Sequence, residues 1–106
     1  MTIWSRIYYS TPQAPELKPG SPRALGTNPD SPVTVESSPG SQIYPAFNVT
    51  ENDLIVRKSR YYAGAGNQLE QVLDSQHIDT VVLSGIRTSG VILSTAYRLA
   101  DLDYTV

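Results

Sequence analysis

Apolar positions in this chain fall into two regimes. Residues Thr2–Tyr9 carry Ile3, Trp4, Ile7, Tyr8 and Tyr9, a β-prone run that predicts a strand over 1–9. Residues 10–46 show neither a helical period nor alternation; they are rich in Ser, Pro, Gly and Thr, which is loop chemistry. Periodicity then returns. Asp53–Arg57 is a short apolar run of the buried-strand type, and Leu69, Val72 and Leu73 form the i, i+3, i+4 face of a helix ending near Gln76. Asn67 stands where an N-cap is expected, with Glu70 three residues on in the capping-box position. Thr80–Leu83 reads as another buried strand. A further helix carries Ile92, Thr95, Ala96, Leu99 and Leu102 inward, and Asp103–Val106 opens a last strand.

The order is β–loop–β–α–β–α–β. It predicts an α/β fold: a parallel sheet with flanking helices, joined by right-handed crossovers. The organisation expected is a single partial domain over 1–106, with a strand at 1–9, a Pro/Ser/Gly-rich loop at 10–50 and a βαβαβ core at 51–106. A parallel sheet is normally covered on both faces. Two helices are few for that purpose, and the chain opens and closes on strands, so the fold is expected to be incomplete at both ends.

Composition narrows the chemistry. All eight prolines lie at or before Pro45, which separates the loop from the regular half. The net charge of −2 argues against a sequence-independent nucleic-acid binder. There are no cysteines, which removes disulfides, thiolate metal sites and thiol catalysis together. No metal or cofactor is expected. No apolar run approaches the ~20 residues of a membrane span, and the N-terminus is not a basic-then-apolar leader. The expected location is the cytoplasm, with no membrane or nucleic-acid partner.

The strand–turn–helix at 78–104 is the most chemical part of the chain. Its turn, Gly85-Ile86-Arg87-Thr88-Ser89-Gly90, has the shape of a hydrolase elbow. It is not a phosphate loop, because Val91-Ile92 stands where Lys-Ser/Thr is required. Thr88 and Ser89 lack an identifiable base, so helix capping is their expected role. His77, the only histidine, is expected to complement the end of the preceding helix. Tyr8, Tyr9, Tyr61 and Tyr62 are expected as half-buried strand and loop aromatics.

Three segments together resemble the isochorismatase-like family of cysteine hydrolases: Asn52–Ala63, then Leu69–Leu73 with His77–Gly85, then Gly85–Ala96. The resemblance implies a Rossmann-like three-layer fold and a catalytic aspartate, lysine and cysteine. Lys58 matches the lysine. The family's Gly-Val-x-Thr-x-x-Cys turn matches Gly85 to Val91, which puts Val91 at the nucleophile, as in a subgroup of the family carrying valine there. The aspartate belongs to a strand that this sequence lacks.

The resemblance further implies an oxyanion or ligand site at Gly90, Val91 and Thr88, and a cis peptide at Ile86–Arg87. A valine cannot attack a carbonyl. The expectation is therefore a catalytically inactive domain that binds a small carboxylate or amide ligand, or a partner such as a second copy in a homo-oligomer. The alternative is an active hydrolase on amides or vinyl ethers, using Lys58 with an activated water or another nucleophile.

Overall fold

A computed structural model describes residues 1–25 and 34–106. The part of the expected loop at 26–33 lies outside the described residues. Two strands, β1 (Ile3–Ile7) and β2 (Leu54–Lys58), pair in parallel with Ile3 opposite Leu54 and Ile7 opposite Lys58. Three helices follow the chain: the single turn α1 (Pro22–Leu25), then α2 (Leu69–Ser75) and α3 (Leu93–Asp101). The architecture is α/β, a parallel sheet with flanking helices.

Alternation along the strands assigns the two sheet faces. Ile3, Ser5 and Ile7 share a face with Leu54, Val56 and Lys58, and both Val56 and Lys58 are buried on it. Helices α2 and α3 meet this side. Leu69, Leu73 and Leu99 form their buried cluster, and Ile3, Ala63, Ile78, Val81, Leu83 and Tyr104 pack on it. On the opposite face, Trp4 donates its indole N–H to Asp53 (2.9 Å) and stacks at a tilt on Phe47. Arg6 reaches the Ser41 carbonyl (2.7 Å), and the Tyr8 ring lies between the guanidinium groups of Arg6 and Arg57.

The long polar segment is more ordered than its composition predicts. Ala14 and Leu17 pack with Tyr9 in a second buried cluster. A 3₁₀ turn at Pro39–Ser41 buries Ser41, whose hydroxyl donates to the carbonyls of Glu36 and Ser38. Tertiary docking overrides loop composition here: Arg6 binds Ser41 and Trp4 packs on Phe47, so this segment covers the face away from α2 and α3.

Other local expectations also change. The strand expected at Thr80–Leu83 contracts to one parallel bridge, Thr80 to Thr105, followed by irregular chain. A ladder needs a partner along its length, and only the stretch beside Thr105 has one. Asn67 does not cap α2 as an N-cap; its Oδ1 accepts the Leu69 N–H (2.9 Å) while its amide donates to the carbonyls of Arg57 and Ala63 (both 2.8 Å). Glu70 makes no capping box, because its carboxylate is taken by Tyr62 and Arg98.

Both main helices end in the same device. His77 adopts φ 54° and Asp103 φ 67°, in the left-handed region. The Ile78 N–H bonds back to Leu73 O (3.0 Å) and the Tyr104 N–H to Leu99 O (3.0 Å), with His77 N–H on Asp74 O and Asp103 N–H on Ala100 O. These are Schellman closures, and the residue after each left-handed position, Ile78 or Tyr104, packs on the Leu69–Leu73–Leu99 cluster. His77 is thus a left-handed helix terminator, a backbone role beyond the dipole partner expected from sequence.

Candidate functional site

The site is assembled at one end of the sheet. Lys58 closes β2 with its side chain on the helix-covered face, only 4% exposed, and its ammonium donates to the Tyr61 carbonyl (2.8 Å). That bond folds the chain back sharply after the strand. The following loop is fastened to the helices: the Ala63 N–H donates to Thr95 Oγ1 (3.1 Å), and the Tyr62 hydroxyl donates to Glu70 (2.6 Å), which also pairs with Arg98 (2.9 Å). The Arg98 and Tyr62 bonds hold the Glu70 carboxyl below its ordinary range. Burial, reinforced by the Glu70 carboxylate, pushes the Tyr62 phenol well up, so it stays a neutral donor.

The turn lies against this loop. Gly85 adopts φ 143°, a region that only glycine enters readily, and the Ile86–Arg87 peptide is cis. A π-helical turn, Thr88–Ile92, then leads straight into α3, with the N–H groups of both Gly90 and Ile92 on Arg87 O (3.2 Å). Neither Thr88 nor Ser89 supplies a side-chain cap, since the π turn closes its first bonds on Arg87 instead. Val91 is half-buried, and its carbonyl accepts from the Ser94 hydroxyl (3.3 Å).

Tyr61 joins the two halves. A methyl group built on Gly90 would sit 3.3 Å from the Tyr61 ring, so the ring rests on the turn while its carbonyl holds Lys58. The structure thus brings Lys58 and the Gly85–Val91 turn to the two sides of one residue. The Gly90 N–H, directed at Arg87 O, is engaged inside the turn.

On its other side Tyr61 lines a cavity of about 420 Å³ with Lys18, Ser21, Pro22 and Arg60. Lys18 and Arg60 make this lining cationic. Arg60 is steadied by donating to the Glu16 carbonyl (2.6 Å). Sequence reasoning did not find Lys18 or Ser21, which lie in an aperiodic segment with no motif; Arg60 entered only as one of a cluster of basic residues. Among the described residues no three His, Cys, Asp or Glu side chains converge in a way that would hold a metal ion. No helix is long and apolar enough to cross a membrane.

Comparison with known proteins adds independent support. Solved structures superpose on 96% of the chain. They include an isochorismatase-like hydrolase from Alkaliphilus metalliredigens (TM-score 0.71, 25% identity, 46% of that chain covered). An isochorismatase family protein from Burkholderia thailandensis matches with TM-score 0.68 and 28% identity over 50% of its chain. N-carbamoylsarcosine amidase from Thermoplasma acidophilum, at 22% identity, shares the fold with TM-score 0.75 over 53% of its chain. The protein spans about half the length of these relatives. No curated protein matches. The sequence model of the isochorismatase domain matches residues 1–106, and the chain belongs to the isochorismatase family.

Proposed function

We propose that this protein is an isochorismatase-family domain that does not run cysteine hydrolysis and instead binds a small carboxylate or amide ligand beside Tyr61. The residue that carries the reading is Val91, which the family resemblance puts at the nucleophile's position, in the turn that rests on Tyr61. An aliphatic side chain has no electron pair to attack a carbonyl and no proton to transfer. What the turn retains is a polarised backbone beside an apolar side chain, and the neighbouring cavity adds Lys18 and Arg60. This combination suits a small acid: an apolar body against Tyr61 and Pro22, with its carboxylate toward the cations.

A panel of small carboxylic acids and their amides tests the reading by thermal shift and turnover. Acids should raise the melting temperature without being consumed, and the double variant Lys18→Ala/Arg60→Ala should abolish the shift. Absence of a shift with every acid overturns the ligand reading, and measurable hydrolysis overturns the inactive one.

One observation favours a hydrolytic alternative: a buried lysine held by the carbonyl of Tyr61, the residue whose ring rests on the turn. In that case Lys58 with an activated water would act on amides or vinyl ethers. Turnover lost in Lys58→Ala and retained in Ser89→Ala would decide for it.

A further inference from the structure

The cavity beside Tyr61 has walls from two separate stretches of chain. Lys18, Ser21 and Pro22 come from the segment 10–25, and Arg60 and Tyr61 from the loop after β2. Lys18 and Arg60 carry like charges, which repel across a shared lining, so the two walls need a tie of their own. Glu16 is the only acidic residue among residues 1–25 and lies two positions before Lys18.

Glu16 binds across the gap with both its side chain and its main chain. Its Oε1 accepts from the Ser10 N–H (2.8 Å), from the Ser10 hydroxyl and from Arg57 Nη2 (2.6 Å). Its Oε2 is buried and has no hydrogen-bond partner among the described residues. A carboxylate loaded on one oxygen and shut from water on the other is stable only with its cation in place, which fixes Glu16 against the end of β2. The Glu16 carbonyl holds the other wall, accepting from Arg60 Nη2 (2.6 Å). Arg57 completes the tie by donating to Tyr8 O (3.2 Å) and to Ser10 Oγ (3.3 Å).

The chain between Glu16 and the cavity has little slack. Pro15 and Pro19 bracket Glu16, Leu17 and Lys18, each with its own φ fixed by the ring. Leu17 is buried with Tyr9 and Ala14. Its N–H closes a turn on Ala14 O (3.0 Å), and the Ser21 N–H closes the next on Lys18 O (3.1 Å). A position set at Glu16 is therefore passed along the backbone to Lys18 and Ser21.

We propose that Glu16 is a positioning residue for the Tyr61 cavity: its carboxylate clamps the 10–25 wall to Arg57 and its carbonyl aims Arg60, so both cations serve one guest only while the clamp is closed. The guest's chemistry rests on the small-acid reading above; the clamp does not.

Two measurements on the chain as it is test the clamp and the positioning separately. Residue-resolved hydrogen exchange needs no ligand. In Glu16→Gln the amides of Leu17 and Ser21 should exchange about tenfold faster, while those of Gln76 and Ile78 at the end of α2 keep the parent's rates. Unchanged rates at Leu17 and Ser21, or equal acceleration at all four, overturn the clamp. Ser10→Ala removes a single donor to Glu16, should speed the same two amides to a lesser degree, and takes the place of Glu16→Gln in both measurements if that variant does not fold. Benzoate titration followed by NMR then reads the positioning. Glu16→Gln should weaken binding by about tenfold, and Lys18→Ala should weaken it in the parent but add little in the Glu16→Gln background. Additive losses would place Lys18 independently of Glu16 and overturn the positioning role. A parent that does not bind benzoate counts against the small-acid reading, and exchange alone then decides the clamp.

Discussion

Gly64→Ala probes the join between the loop after β2 and the two helices. A methyl group built on Gly64 would lie 2.5 Å from the Tyr62 hydroxyl and 2.6 Å from its ring carbon Cζ. Gly64 itself is not in the left-handed region, so alanine fits the backbone and the conflict is with the side chain alone. The ring must swing away, which breaks the bond from its hydroxyl to Glu70. A hydrogen bond to a charged group contributes about 1.5–3 kcal/mol. Glu70 is more than a third exposed, which favours the low end. Reduced freedom of the unfolded chain offsets about 0.5 kcal/mol. The net loss is about 1 kcal/mol, or a fall of about 4–8 °C in melting temperature for a domain of this size. Because Tyr61 immediately precedes Tyr62, the same change should weaken any ligand shift at the cavity. A double-mutant cycle by thermal denaturation separates the causes. In a Tyr62→Ala background the added methyl has nothing to strike, and Gly64→Ala should be neutral or slightly stabilising. Equal destabilisation in both backgrounds would refute the steric argument.

Other expectations follow from the same structure. His77→Gly and Asp103→Gly each relieve a left-handed non-glycine residue at a helix end, and each should stabilise by about 0.5–1 kcal/mol in urea denaturation. Leu99, 1% exposed in the α2–α3 cluster, should cost about 3 kcal/mol as Leu99→Ala, read by thermal or urea denaturation. The Ser10 hydroxyl, together with Arg57, holds the Glu16 carboxyl down to about 2 from its ordinary 4.5. A carboxyl whose pKa is depressed by folding stabilises fully above the unfolded value, and that stability is lost as pH falls from about 4.5 toward 2. Glu16→Gln should therefore flatten the melting temperature over that interval; an unchanged acid limb would show that the carboxylate is not the titrating group.

Much of the site was legible locally. The turn Gly85–Gly90 announced itself by two glycines between an apolar run and a helical face, whereas Lys58 stood out only through the family resemblance, since a lysine between Arg57 and Arg60 at a strand end reads from spacing alone as solvated. Glu70 was misread because a capping box and an ion pair use the same residue, and only Tyr62 and Arg98 in space decide between them. Lys18 gave no signal, since its partner Arg60 lies 42 residues away in sequence (60 − 18).

The sequence by itself determined the parallel α/β class, with the strands at Ile3–Ile7 and Leu54–Lys58 and the helices at Leu69–Ser75 and Leu93–Asp101. Such properties depend on side-chain type and on periods of two or 3.6, which are written into neighbouring residues. Tertiary structure decided what lies against what: that the proline-rich segment docks on the face away from α2 and α3, that Tyr61 links Lys58 to the turn, and that Thr80–Leu83 remains a single bridge. Strand pairing is a property of two edges. Val81 and Leu83 carry a strand's side chains, but a ladder forms only where another backbone meets it, and among the described residues that is Thr105 alone.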